Sequence, residues 1–364
     1  MWHDNDVSRR LKLRYPIIQG PFGGGLSSID LLVAVSEAGG LGSFGIHHLP
    51  PDQIRELDAN IRARTQKPYA LNLWVSDHDA GGDGLTPQQF DAGVARYRRY
   101  YDELGISPPT AAPARFGQRF DAQVQAVLDV RPPVFSFVFG IPSADILDEC
   151  RKRDIITIGT VTTLDEAIAM EQAGVDMMVA TGFEAGGHRV SFLRPAEASL
   201  MGTFALIPQL ADRVSIPVIA AGGIGDGRGI AAAMMLGAHG VQIGTAFLAC
   251  EESSADPLHR AALFTDAARD TALTRAFTGR LARGIRNRFV EQMEAEGTAI
   301  FPYPIQRWFT ASFRQAAVAQ GRSDLLALWA GQAAPLLRHH RATELFDDLV
   351  RQTTDTLSNA SRLA

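Results

Sequence analysis

Three stretches of this 364-residue chain hold residue types that can do chemistry. In the first, the apolar run Ile216-Pro217-Val218-Ile219-Ala220-Ala221 ends in Gly222-Gly223, and Asp226 follows as a helix N-cap. Glycines there admit positive φ and let backbone amides approach an anion with no Cβ in the way. In the second, Gly240-Val241-Gln242-Ile243-Gly244-Thr245 runs from a strand into a short helix and offers amides and one hydroxyl. Either turn alone is common. At the ends of consecutive strands they predict one phosphate grip, built from Gly222, Gly223, Gln242, Ile243, Gly244 and Thr245. Neither has the lysine-ended glycine loop of ATP-binding proteins, and the run Gly20 to Gly25 lacks GxGxxG order. A mononucleotide phosphate therefore fits better than ATP or a Rossmann-bound dinucleotide.

The third stretch is Thr181-Gly182-Phe183-Glu184-Ala185-Gly186-Gly187-His188-Arg189. It follows a predicted strand, so His188 falls on the same rim as the grip, where an imidazole can exchange a substrate proton near neutral pH. Glu184 and Arg189 read as loop anchors rather than reactive groups. The sequence neighbours His47-His48 and His339-His340 diverge in a helix or strand, so they read as solvated and no metal is expected. Cys150 and Cys250 stand far apart and read as small buried thiols.

These residues need a scaffold, and the apolar pattern supplies one. Strands are predicted at Ile17 to Gly20, Leu41 to Phe44, Tyr69 to Val75, Val134 to Phe139, Ile155 to Thr160, Asp176 to Thr181, Ile216 to Ala221 and Gly240 to Gly244. Amphipathic stretches lie between them, among them Asp30 to Ala38, Pro51 to Thr65, Ala144 to Lys152 and Gly229 to Leu236. The alternation predicts a parallel sheet with helices outside; an open doubly wound sheet would alternate as well, but eight strands in this order favour a (β/α)8 TIM barrel. The barrel is expected over residues 1–265, with an insertion near 76–118 that holds Gly81-Gly82-Asp83-Gly84 and a basic-aromatic helix, Ala95 to Tyr101. That insertion reads either as a lid or as a passive outer element. Residues 266–364 read as a helical C-terminal subdomain covering the active-site face.

A hydrophobic content of 46% with 21% charged residues suits a large soluble core. A net charge of -5 and a pI near 6.0 disfavour nucleic acid and anionic membrane as partners. Met1 to Arg14 shows no apolar leader and no long apolar run follows, so a cytoplasmic address is expected.

At these residues the chain resembles the class I nitronate monooxygenases, formerly called 2-nitropropane dioxygenases. The resemblance covers nearly the whole chain. It runs through Pro16-Ile17-Ile18-Gln19-Gly20, Gly39-Gly40-Leu41-Gly42-Ser43, Asn72, Gly159-Thr160-Val161-Thr162, Glu184 to Arg189, Ala220 to Gly229 and Gln242 to Phe247. It continues in Gly279-Arg280-Leu281-Ala282-Arg283-Gly284-Ile285-Arg286-Asn287 and Leu328-Trp329-Ala330-Gly331-Gln332. The barrel motifs are shared with flavin-dependent enoyl reductases; the C-terminal ones point to the monooxygenases.

The resemblance implies FMN as cofactor, its phosphate on Gly223 and Gln242 to Thr245, with Asn72, Thr181 and Gly186 at positions that contact the rest of the flavin. It implies His188 as catalytic base. The implied reaction is oxidation of an alkyl nitronate such as propionate 3-nitronate by O₂, without reduced nicotinamide. Two departures bear on the pocket: Thr181 stands where the family usually has glutamine, and Val190 replaces the glycine after His-Arg. Two alternatives stay open at this stage: an FMN-dependent NAD(P)H enoyl-acyl-carrier reductase and a non-catalytic flavin-binding barrel. Assembly as a homo-oligomer is left open.

Overall fold

The computed structural model describes residues 1–75, 84–295, 297 and 299–360. Eight strands are parallel: β1 (Ile17–Gln19), β2 (Gly42–Gly45), β3 (Tyr69–Trp74), β4 (Val134–Val138), β5 (Ile156–Val161), β6 (Met177–Thr181), β8 (Val218–Ala221) and β9 (Gly240–Ile243). They pair in the order β1-β9-β8-β6-β5-β4-β3-β2. A parallel bridge between Ile18 and Leu41 closes the ring, with Gln19 N–H to Leu41 C=O at 2.9 Å and Leu41 N–H to Ile17 C=O at 3.0 Å. The fold is therefore the expected TIM barrel.

Strand periodicity sorts the apolar residues between two packing spaces. Ile18, Leu41, Ala70, Val134, Ile158, Val179 and Ile219 form one cluster with Val7 and Leu11, while their neighbours Ile17, Phe135 and Met178 pack in the larger cluster shared with the helices. Val7 and Leu11 belong to α1 (Asp6–Leu11), whose start is fixed by a capping box between Asn5 and Ser8. This small helix joins the interior cluster, so side chains fill the barrel as in a packed core.

The shell helices are α2 (Ile29–Glu37), α3 (Pro51–Arg64), α5 (Phe120–Val130), α6 (Ala144–Lys152), α7 (Leu164–Gln172), α8 (Thr203–Ala211) and α9 (Gly227–Met235). The last shell helix is α14 (Ala342–Ala360), which packs on α9 and α2. Its Leu345, Phe346 and Leu349 sit in the barrel core. The expectation of a helical segment lying wholly over the active-site face thus needs correction. After β9 the chain leaves the barrel for about a hundred residues and then returns to close its helical shell.

That excursion is not purely helical either. Beside α10 (Thr245–Leu248), α11 (Pro257–Ala262), α12 (Arg288–Ala295) and α13 (Ile305–Ala319), it contains the antiparallel strands β10 (Thr271–Thr274) and β11 (Ala282–Ile285). β11 also pairs with β7 (Gly187–His188), with Ala282 opposite His188. The insertion contributes α4 (Pro87–Leu104), which packs on α13. Tyr97, Tyr100 and Tyr101 join Phe289, Phe309 and Phe313 there in a second hydrophobic cluster. Gly93 is required at this contact, because a Cβ would lie 2.1 Å from Phe309 Cζ. Of the Gly81-Gly82-Asp83-Gly84 run, residues 81–83 lie outside the described residues. Among the described residues no helix is long and apolar enough to cross a membrane.

Candidate active site

A cavity opens at the C-terminal ends of the barrel strands, with about 240 Å³ accessible to the centre of a water molecule. Asn72, Thr181, Gly186, Gly222, Gly223, Gln242, Gly244, Thr245 and His188 all line it. Ile243 does not: its side chain is buried in the barrel core, and its carbonyl accepts the Gly20 N–H at 2.9 Å. Strand alternation explains the exception, since Gln242 and Ile243 face opposite ways.

The two glycine turns meet as one cradle. Gly222 and Gly223 have φ of +94° and +72°, values that a side chain rarely tolerates. A Cβ on Gly222 would also lie 3.0 Å from the Gly182 carbonyl oxygen. The N–H groups of Gly223, Gly244 and Thr245 have no acceptor among the described residues. Three unpaired amides facing one cavity form an anion site, because each still needs a hydrogen-bond partner.

The C-terminal excursion braces this cradle. Thr245 Oγ1 accepts the Gly331 N–H at 2.9 Å, and Gln332 N–H donates to the Glu184 carbonyl at 2.9 Å. The Glu184 carboxylate accepts from Thr203 N–H and Oγ1, while Thr203 Oγ1 also reaches the Gly222 carbonyl at 2.9 Å. Arg189 is buried and donates to the Thr181 and Gly182 carbonyls at 2.9 and 2.6 Å. Both residues thus hold the loop, as their sequence context suggested. The fully buried Glu166 adds a third clamp, accepting the N–H groups of Thr162 and Phe192.

His188 lies in an aromatic box. Trp74, Trp329 and Phe139 have ring centroids 5.2, 5.6 and 6.2 Å from the imidazole. Its Nε2 sits 2.9 Å from Thr278 Oγ1. Burial first, then the charges of Arg280 and Arg307, push the imidazole down to about 3. It is therefore neutral at physiological pH, the form that accepts a proton. An anion formed beside it would raise its basicity, since opposite charge favours the protonated ring.

Asn72 Nδ2 donates to Ser136 Oγ at 3.0 Å, which fixes its amide at the cavity wall. Thr181 and Val190, the two departures from the family pattern, also line the cavity. Sequence reasoning missed several neighbours: Trp74, Phe139, His47, Thr278, Arg307 and Trp329. Trp74 was within reach, because it shares the face of β3 with Asn72 two residues earlier. His47 needs correction, for it is not solvated. Its ring stacks on Trp74 at 3.8 Å with a 5° tilt, and burial, followed by the charges of His48 and Arg307, holds it well below the usual imidazole range. Cys150 and Cys250 are buried free thiols, and burial raises both thiol pKa values. Among the described residues no cluster of three metal-ligating side chains occurs.

The comparisons with known proteins agree with this geometry. The sequence profile of the family described as Nitronate monooxygenase matches residues 6–352. A protein named probable nitronate monooxygenase from Staphylococcus haemolyticus is 40% identical over 360 residues, covering 98% of this chain and 99% of its own. One of the same name from Staphylococcus aureus is 39% identical over 353 residues, covering 97% and 98%. Among solved structures, nitroalkane oxidase from Streptomyces ansochromogenes superposes with a TM-score of 0.86 at 32% identity, over 97% of this chain and 99% of that one. FabK from Thermotoga maritima superposes with a TM-score of 0.75 at 28% identity, over 99% of each chain. With its profile matched from α1 into α14, this chain belongs to the nitronate monooxygenase family of flavin-dependent oxidoreductases.

Proposed function

We propose that this protein binds FMN and uses O₂ to oxidise alkyl nitronates of the propionate 3-nitronate class, accepting neutral nitroalkanes through the base His188. The observation that carries the reading is the placement of a neutral imidazole and an amide cradle on one cavity. The cradle fits a phosphate: it presents unpaired N–H groups, and Cβ atoms at its glycines would fill it. A single phosphate suits a mononucleotide better than a dinucleotide. Gly223, Gly244 and Thr245 would hold the phosphate, while Asn72, Thr181, Gly186 and Gln242 would border the ring system. When bound, the flavin supplies electron exchange between substrate and oxygen, chemistry that no side chain here can perform.

The protein's own part is position and proton transfer. His188, fixed on β7, removes the Cα proton of a neutral nitroalkane and holds it; a preformed nitronate needs no such step. Trp74, Phe139 and Trp329 keep water from the imidazole and the reacting carbon.

The test is the visible spectrum of the purified protein, recorded before and after anaerobic addition of propionate 3-nitronate. A flavin spectrum that bleaches on addition supports the reading. Bleaching by NADH or NADPH, with none by nitronate, would replace it with the reductase alternative. A flavin that responds to neither would leave a binding protein without turnover.

A further inference from the structure

The cavity holds one cation with no partner in the fold. Arg307, in the first turn of α13, lines the cavity, yet its guanidinium forms no ion pair and donates no hydrogen bond among the described residues. Arginine heads at a protein surface commonly escape into water, but this one is half-buried and turned toward the site. Its Nη2 approaches the Gly24 turn, 3.9 Å from where a Cβ on that glycine would stand. Gly24 lines the same cavity.

Arg280 makes the contrast clear. Its guanidinium lies over the rings of Phe139 at 3.6 Å, Tyr303 at 4.5 Å and Trp74 at 5.2 Å, so its charge is already engaged by aromatic faces. Arg307 has no such ring. Beside it, His47 Nδ1 is sealed from solvent and has no hydrogen-bond partner among the described residues. A buried polar nitrogen without a partner is costly, and its neighbourhood to an unpaired guanidinium suits a ligand that accepts from both.

The indole of Trp74 separates this corner from His188. His47 stacks on one side of it and His188 meets it edge-on at 5.2 Å. A ligand whose reacting carbon lies at His188 would thus extend past Trp74 toward Arg307.

We propose that Arg307 is a specificity-determining residue that binds a carboxylate at the far end of the substrate, with His47 as a neutral hydrogen-bond neighbour. The protein would then select nitronates carrying a carboxylate tail over plain alkyl nitronates. A guanidinium presents paired N–H groups that match the two oxygens of a carboxylate, whereas an uncharged tail would leave the cation desolvated and unpaired. This inference rests on the nitronate reading given above.

The experiment compares kcat/KM for propionate 3-nitronate with that for propyl 1-nitronate in wild type, Arg307→Met and Arg307→Lys holoenzymes. The selectivity ratio should fall about 10- to 100-fold in Arg307→Met, the span expected for a charge-assisted hydrogen bond. Arg307→Lys should recover part of it. A parallel fall for both substrates, with the ratio unchanged, would overturn the assignment, since Arg307 would then act on the shared nitronate group or on the fold. No fall in the ratio for any other reason would overturn it equally. A second arm titrates each holoenzyme with sodium propionate and, as control, 1-propanol, and follows the flavin absorbance and tryptophan fluorescence. Saturable perturbation by propionate alone, lost in Arg307→Met, supports the carboxylate site even if no nitronate is turned over. Absence of any propionate response in wild type counts against it, whatever the nitronate activity.

Discussion

Nε2 of His188 lies 2.9 Å from Oγ1 of Thr278, and the two residues stand ninety positions apart in the chain. Their meeting is produced by β11, which pairs with the strand that carries His188 just after the turn that carries Thr278. The Thr278 hydroxyl has one proton and a second neighbour, the Arg280 carbonyl at 3.2 Å. If it donates to that carbonyl, Nε2 must carry the imidazole proton and Nδ1 is the accepting nitrogen. If it donates to Nε2, the tautomer reverses.

Either way, Thr278 positions the ring. Thr278→Val should keep flavin content near wild type and lower kcat on a neutral nitroalkane about 10-fold, with Thr278→Ser restoring it. Preformed nitronate, which needs no proton removal, should be affected less. Equal losses on both substrates would show that Thr278 acts on the fold rather than on the base.

His188→Asn removes the proton acceptor and retains a similar volume. Activity on neutral nitroalkanes should drop by about 10²- to 10⁴-fold, the usual worth of general base catalysis, while nitronate turnover falls far less. Steady-state rates on nitroethane and ethyl nitronate make the comparison. Undiminished nitroethane oxidation would remove His188 from the role.

The depressed imidazole also links stability to pH. The folded value near 3 is below the ordinary 6.5, so between these pH values the unfolded chain binds a proton that the folded chain refuses. Stability from this group is complete above about pH 6.5 and is lost as pH falls toward 3, by up to about 1.4 kcal/mol per pH unit. Thermal melts at pH 7 and pH 5 should therefore show a smaller drop in Tm for His188→Asn than for wild type. His47 is shifted the same way and remains in both proteins, so the difference isolates His188.

Gly223→Asp should yield a folded, colourless protein. The position has φ of +72°, and the new carboxylate would stand in the amide cradle. Gly223→Asn carries the same shape without the charge and tolerates positive φ comparably, so it should keep more flavin. Flavin-to-protein absorbance ratios after purification, with circular dichroism as the folding control, decide the matter. Equal flavin content in the two variants would mean that charge at Gly223 is irrelevant.

Far from the chemistry, Gly93→Ala should destabilise the docking of α4 on α13. The added methyl would overlap the Phe309 ring, an overpacking cost of about 1–3 kcal/mol. A lowered Tm with bound flavin retained is expected. An unchanged Tm would show that the two helices can part without loss.

Most of the scaffold was legible because it is written in local pattern. Ile17 and Ile18 face opposite sides of one strand, as do Val134 and Phe135, and such runs recur eight times with amphipathic stretches between them. The glycine turns after β8 and β9 were visible for a similar reason: a backbone that must adopt positive φ, as at Gly222 and Gly223, restricts residue type on the spot. His188 stood out because barrel topology assigns the loop after β6 to one known rim.

Thr278, Trp329 and Arg307 carried no such mark. Each reaches the cavity through contacts with residues far away in sequence: β11 with β7, Gly331 with Thr245, and α13 with α4. α14 is a similar case, for its amphipathic face is equally suited to a cap or to the barrel, and only the groove between α9 and α2 decides. By itself, then, the sequence determined the barrel, its phosphate-type turns and the histidine on its rim, since these follow from backbone conformation and periodicity over a few residues. Tertiary structure alone decided which distant side chains complete the pocket, because that choice depends on the packing of surfaces whose complementarity no local pattern encodes.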